Sequence, residues 1–104
     1  AAEVLISPLG DFERAIDISR KAFPEDFYGT GFTIGFYAQA LRSLERFEDA
    51  ERSFLEAKGI LDAAFPPGHR IHTEIAKDMV KLYTAWGKPE EAAAWGAKAG
   101  EEDK

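Results

Sequence analysis

At 104 residues the chain holds one small domain, and its 45% hydrophobic and 31% charged residues are a mixture that folds rather than stays disordered. Cysteine is absent, which excludes disulfides, thiolate nucleophiles and sulfur-ligated zinc, and a net charge of -6 opposes nucleic acid and anionic membrane as partners. No apolar run approaches the ~20 residues of a membrane helix, and Ala1 to Leu9 lack the cationic start and long apolar middle of a signal peptide, so a soluble, cytoplasmic protein is expected.

In chain order, Asp11 to Ala22 predicts a short helix. Pro24, Gly29 and Gly31 then break the pattern, and Gly29-Thr30-Gly31 reads as the entrance of the next helix, with Thr30 or Gly31 near its N-cap. From about 30 to 44, Ile34, Tyr37, Ala38, Leu41 and Leu44 recur at three- and four-residue steps, the period of one helix face. From about 47 to 64, Phe47, Ala50, Phe54, Ala57, Leu61 and Ala64 form a second stripe, opposite an acidic face on which Glu48 and Arg52 pair at i,i+4. Pro66, Pro67 and Gly68 mark a connection, Ile75, Met79, Leu82, Tyr83 and Trp86 a helix from about 72 to 86, and Gly87 a tight turn. A last helix begins at Pro89, whose missing N–H costs nothing in a first turn, and Glu90 and Glu91 suit its positive dipole end.

Self-similarity runs through this order. Gly10-Asp11-Phe12-Glu13-Arg14-Ala15, Glu45-Arg46-Phe47-Glu48-Asp49-Ala50 and Gly87-Lys88-Pro89-Glu90-Glu91-Ala92 share a turn residue, a ring, an acid and a closing Ala, with starts 35 and 42 residues apart. That spacing fits one helical hairpin per unit. These hairpins resemble tetratricopeptide repeats: the family pattern falls on Ile34, Tyr37, Ala38, Leu41, Phe47, Ala50, Phe54 and Ala57, then on Ala76, Met79, Val80, Tyr83, Pro89, Ala92 and Ala99. The 42-residue step and the linker Phe65-Pro66-Pro67-Gly68-His69 are similar to the lengthened repeats of kinesin light chains, and Ala85 to Trp95 resembles the final repeat of arrays that end some bacterial Ser/Thr protein kinases. The resemblance implies an all-α, right-handed superhelical solenoid of antiparallel helix hairpins, with a partial repeat over 1–29, a full one over 30–70 and a terminal one over 71–104. It departs from the family at both ends. Residues 1 to 9 would be the latter half of a first helix with Pro8 in its last turn, from an array that began upstream, and Gly96 replaces a ring whose bulk Trp95 would supply.

In such a solenoid the first helix of each hairpin lines the concave surface. Carried over residue by residue, the family positions there are Phe32, Gly35, Phe36, Gln39, Arg42 and Ser43 in the middle unit and Glu74, Lys77, Asp78, Lys81 and Thr84 in the last. Their charges sum to +1, so the expected partner is a protein or peptide with an acidic or C-terminal carboxylate group, held by Arg42, Lys77 and Lys81, with Phe32 and Phe36 in apolar contact. A solvated cationic face is the plain alternative. Lys77 and Lys81 also match half of the carboxylate clamp of chaperone-binding family members, but the other half would lie before residue 1, so chaperone binding is not expected.

Catalysis finds no motif. The serines lie in helical patterns without a nearby His, and no nucleophile elbow or phosphate-cradling glycine loop occurs. His69-Arg70-Ile71-His72 with Glu74 straddles a loop and a helix start, a poor arrangement for metal. Phe36, Tyr37, Tyr83, Trp86 and Trp95 are assigned to core packing rather than to stacking on bases. The expected protein is a non-catalytic interaction scaffold without cofactor. Two alternatives stay open: a homodimer formed over an exposed edge that includes Phe12, Ile16 and Ile18, and a regulatory module of a larger protein such as a kinase.

Overall fold

The computed structural model describes residues 8–102. Five helices account for nearly all of them, and no strand occurs among the described residues: α1 (Pro8–Ala22), α2 (Tyr28–Ser43), α3 (Phe47–Ala64), α4 (Arg70–Trp86) and α5 (Pro89–Glu102). The connectors 23–27, 44–46, 65–69 and 87–88 are too short for anything but antiparallel neighbours. Cross-helix contacts agree. Phe12 packs on Tyr37 while Ser19 bonds Thr30, and Glu51 meets Tyr83 while Asp62 meets His72. Each helix packs chiefly on its chain neighbours, and α2 also touches α4. The Cα extents are 54 × 34 × 16 Å, and the thin dimension leaves room for two helices across at the usual 8–10 Å separation.

Backbone hydrogen bonds repeat along the chain. Phe23 N–H to Ser19 O (3.0 Å) recurs as Phe65 to Leu61 (3.0 Å), Phe27 to Pro24 (3.0 Å) as His69 to Pro66 (3.1 Å), and Arg46 to Leu41 (2.9 Å) as Lys88 to Tyr83 (2.8 Å). Each pair is offset by 42 residues, as are the starts of α2 and α4 (70−28) and of α3 and α5 (89−47). At both α2–α3 and α4–α5 bends a left-handed residue closes the helix: Glu45 with φ 61° and Gly87 with φ 77°. That geometry returns two N–H groups to the last carbonyls, and glycine adopts it without the Cβ penalty that Glu45 carries.

Small residues set the helix spacing. Ala38 and Ala50 are sealed completely, and around them close Leu41, Phe54, Met79, Leu82 and Tyr83, with Phe47, Trp86, Ala92 and Trp95 packed on the rim. Ile16, Ile34 and Ala57 form a second cluster beneath α1. A Cβ on Gly31 would lie 3.0 Å from side-chain atoms of Ile60 and Leu61, so the glycine lets α2 approach α3.

Several expectations are corrected. The second helix begins at Tyr28, so Gly29-Thr30-Gly31 is its first turn rather than its entrance, Phe27 is the N-cap, and Thr30 is buried with its hydroxyl on Ser19. Pro8 lies in one unbroken helix with Asp11 and Ala22 rather than in the last turn of a separate one; residues 1–7 lie outside the described residues. Gly10 therefore lies inside α1, and the first of the three look-alike segments marks no bend. Leu44, expected on the apolar stripe, is the exposed C-cap of α2, and Ala64 is exposed at the end of α3. Arg52 pairs with Asp49 rather than Glu48. Ile16 is core, so of the three residues proposed for a dimer edge only Ile18 stands well exposed, Phe12 being half-buried on Tyr37.

Candidate functional site

The parallel placement of α2 and α4 over α3 leaves a groove of about 60 Å³ between the first two. Its floor is α3, which contributes Phe54, Ala57 and Leu61, and its walls are Gly31, Phe32, Gly35, Phe36 and Gln39 from α2 and Ile71, Glu74, Ile75 and Asp78 from α4. Nothing lies within 4 Å of where a Cβ on Gly35 would stand, so this glycine holds one wall open. Phe36, expected in the core, is 57% exposed and flanks the opening.

Six of the eleven residues named for the concave face meet here: Phe32, Gly35, Phe36, Gln39, Glu74 and Asp78. Arg42 and Lys81 stand near enough to Asp78 to act on its charge. Ser43, Lys77 and Thr84 do not line the groove. Lys77 and Thr84 point elsewhere because a helix turns about 100° per residue, which puts them about 100–140° round α4 from Ile71 and Asp78. Ser43 is exposed in the last turn of α2 with its hydroxyl donating to Gln39 O at 3.1 Å. The expected cationic stripe thus divides: the charged residues that line the groove are carboxylates, while Lys77 and Lys81 are exposed.

Electrostatics concentrate at Asp78 and Arg42. Burial pushes the Asp78 carboxyl above the usual carboxylate range and Glu74 adds to the rise, while Lys81 and Arg42 oppose it. Arg42 is half-buried, and its Nη1 is sealed from solvent with no hydrogen-bond partner. An unsatisfied buried donor costs about 1–3 kcal/mol, more when charged, so the Arg42 side chain gains by any movement that brings this nitrogen to an acceptor. Tyr83, by contrast, is spoken for: its hydroxyl donates to Glu51 Oε2 at 2.6 Å, and burial together with that bond pushes it far above the ordinary phenol range.

The two histidines have structural roles. His69 Nδ1 accepts from Ile71 N–H at 3.1 Å and caps α4, and the His72 ring lies between Asp62 Oδ1 (3.0 Å) and Pro66 O (2.9 Å), tying α4 to the end of α3. The groove-lining residues the sequence reading passed over, Phe54, Ala57, Leu61, Ile71 and Ile75, are apolar. Their signal was present. The α3 stripe that packs on both inner helices must surface between them wherever α2 and α4 splay apart, and Ile71 and Ile75 share a face with Asp78.

No family model, no curated protein and no solved structure matches the chain.

Proposed function

We propose that the chain is a non-catalytic, tetratricopeptide-like solenoid segment of the lengthened type, and that it binds an extended peptide in the groove between α2 and α4. One observation carries this: an apolar-floored groove, walled by Phe32, Phe36, Ile71 and Ile75, is bordered by Asp78, whose carboxyl feels the positive charge of Lys81 and Arg42. An apolar side chain of the ligand would enter beside Gly35, Gln39 would meet its backbone through donor and acceptor together, and a ligand carboxylate would draw the Arg42 guanidinium out beside Asp78 into a charge-assisted bond. Two features support the repeat architecture, the 42-residue recurrence of turn hydrogen bonds and the contact of α2 with α4 across the intervening helix. No serine, threonine, histidine or lysine lines the groove, so its chemistry suits recognition rather than group transfer.

The test is selection from a random peptide library displayed with free C termini, followed by calorimetry on the selected sequences. Selected peptides are expected to combine a carboxylate with one apolar residue, and Arg42→Glu to abolish their binding. Lys77→Glu with Lys81→Glu should weaken association less, by removing long-range attraction alone. Peptides that bind Arg42→Glu undiminished would refute the reading.

A further inference from the structure

The edge formed by the α1–α2 and α3–α4 connectors carries a continuous run of rings. Phe23 stacks on Phe27 with centroids 4.2 Å apart, Phe27 touches Tyr28 at 5.1 Å, and Tyr28 and Phe32 each meet Phe65 at 6.0 Å. Phe65 in turn packs on His69 at 4.6 Å. None of these rings belongs to the core clusters, and Phe23 and Tyr28 are 48% and 52% exposed. The arrangement is built in: a Cβ on Gly29 would fall 2.4 Å from the Phe27 ring, so the glycine is what allows that ring to lie over the start of α2.

A contiguous aromatic surface with two of its rings well exposed and three partly so calls for a ligand. Three features narrow its chemistry. First, aromatic faces accept pyrrolidine rings, and a polyproline II segment arrives already extended and loses little freedom on docking. Second, such a segment presents unbonded carbonyls, and the hydroxyl of the exposed Tyr28 can donate to one. Third, Glu25 and Asp26 stand exposed between Phe23 and Phe27 and enter no ion pair among the described residues. They favour a cation and repel phosphate.

We propose that this edge is a docking site for a proline-rich segment carrying a lysine or arginine beside its prolines. It is distinct from the groove: Phe23, Phe27, Tyr28 and Phe65 do not line that cleft, and only Phe32 borders both.

The test is a titration of the whole chain, followed by backbone amide NMR and calorimetry, with a synthetic twelve-residue proline-rich peptide bearing one terminal arginine. Controls replace its prolines by alanine or its arginine by glutamate, and an oligothymidine of equal length is titrated in parallel. Binding should shift the amides of Phe23, Phe27 and Tyr28, and weaken at least roughly tenfold in Tyr28→Ala, the loss of one stacking partner. It should also fall in Glu25→Lys with Asp26→Lys for the arginine peptide but not for an uncharged one. Tyr28→Phe, which keeps the ring and removes only the hydroxyl donor, should lose less affinity than Tyr28→Ala and so separate the surface from the fold. Arg42→Glu should leave it unchanged, which keeps this result independent of the groove. No binding at millimolar peptide, equal binding of the alanine control, or shifts confined to the α2–α4 groove would each overturn the proposal. Ring-dependent binding of oligothymidine in place of the peptide would overturn it too, and would assign the edge to nucleobases.

Discussion

Replacing Gly35 by leucine separates folding from binding. Gly35 is inside α2, where glycine costs about 0.8–1 kcal/mol relative to alanine and leucine ranks close to alanine. Nothing lies within 4 Å of the site of its Cβ, so the substitution brings no initial clash. A net gain of about 0.7 kcal/mol follows, which in a domain of this size raises Tm by about 3–6 °C. The new side chain occupies the groove, whose free space is only about 60 Å³. A ligand that seated an apolar side chain there forfeits about 1.5–3 kcal/mol of burial, a loss of about 10- to 150-fold in affinity. Thermal melting by circular dichroism and calorimetry with a library-selected peptide read the two effects separately. A fall in Tm would show that the Gly35 wall is closed, and affinity within twofold of the parent would show that the ligand sits elsewhere.

The other glycines of the array divide by the same reasoning. Gly31→Ala forces a methyl to 3.0 Å from Ile60 and Leu61, whereas Gly59→Ala meets nothing, so urea titration should find the first about 1–3 kcal/mol less stable than the second. Glu45→Gly relieves a side chain held at φ 61° and should raise the urea midpoint by the equivalent of about 0.5–1 kcal/mol, while Gly87→Ala, at φ 77°, should lower it. For Asp78 the folded-state value lies above the unfolded one, chiefly through burial, so the native state binds more protons and loses stability as pH rises through the carboxylate range. Asp78→Asn should therefore stabilise the chain at pH 7, and that gain should vanish below about pH 3, where the carboxyl is protonated in both states; a gain that persisted in acid would assign the effect to packing.

Helix positions were legible because the apolar steps are regular and the breakers strong: α3 runs from Phe47 to Ala64 and α5 starts at Pro89, as the periodicity and the proline indicate. Residues 28 to 31 misled for a physical reason. Two glycines around a threonine look like a loop when judged by propensity, but here one glycine admits the Phe27 ring and the other admits α3, so tertiary contact outweighs the local cost. Gly10 misled for a simpler reason, since a single glycine within a helix costs only about 1 kcal/mol and α1 runs through it.

The connectors carry a sharper register than the look-alike segments do. Matching Gly10 to Glu45 gives a step of 35, which does not agree with the 42 between Glu45 and Gly87. Ala22-Phe23-Pro24 and Ala64-Phe65-Pro66 are the same words 42 residues apart, and in both the phenylalanine N–H returns to the helix while the proline carbonyl receives an N–H three residues on. Proline is suited to that place because it ends the helix and keeps its carbonyl free. Once the register is set by these connectors, Phe27 falls opposite His69, and each ring packs on the phenylalanine four residues before it. The aromatic edge is therefore a property of the repeating turn, whereas the groove depends on residues from three helices. For that reason Lys77 and Thr84, chosen by family position alone, missed a cleft whose walls are fixed by how far α2 and α4 splay over α3.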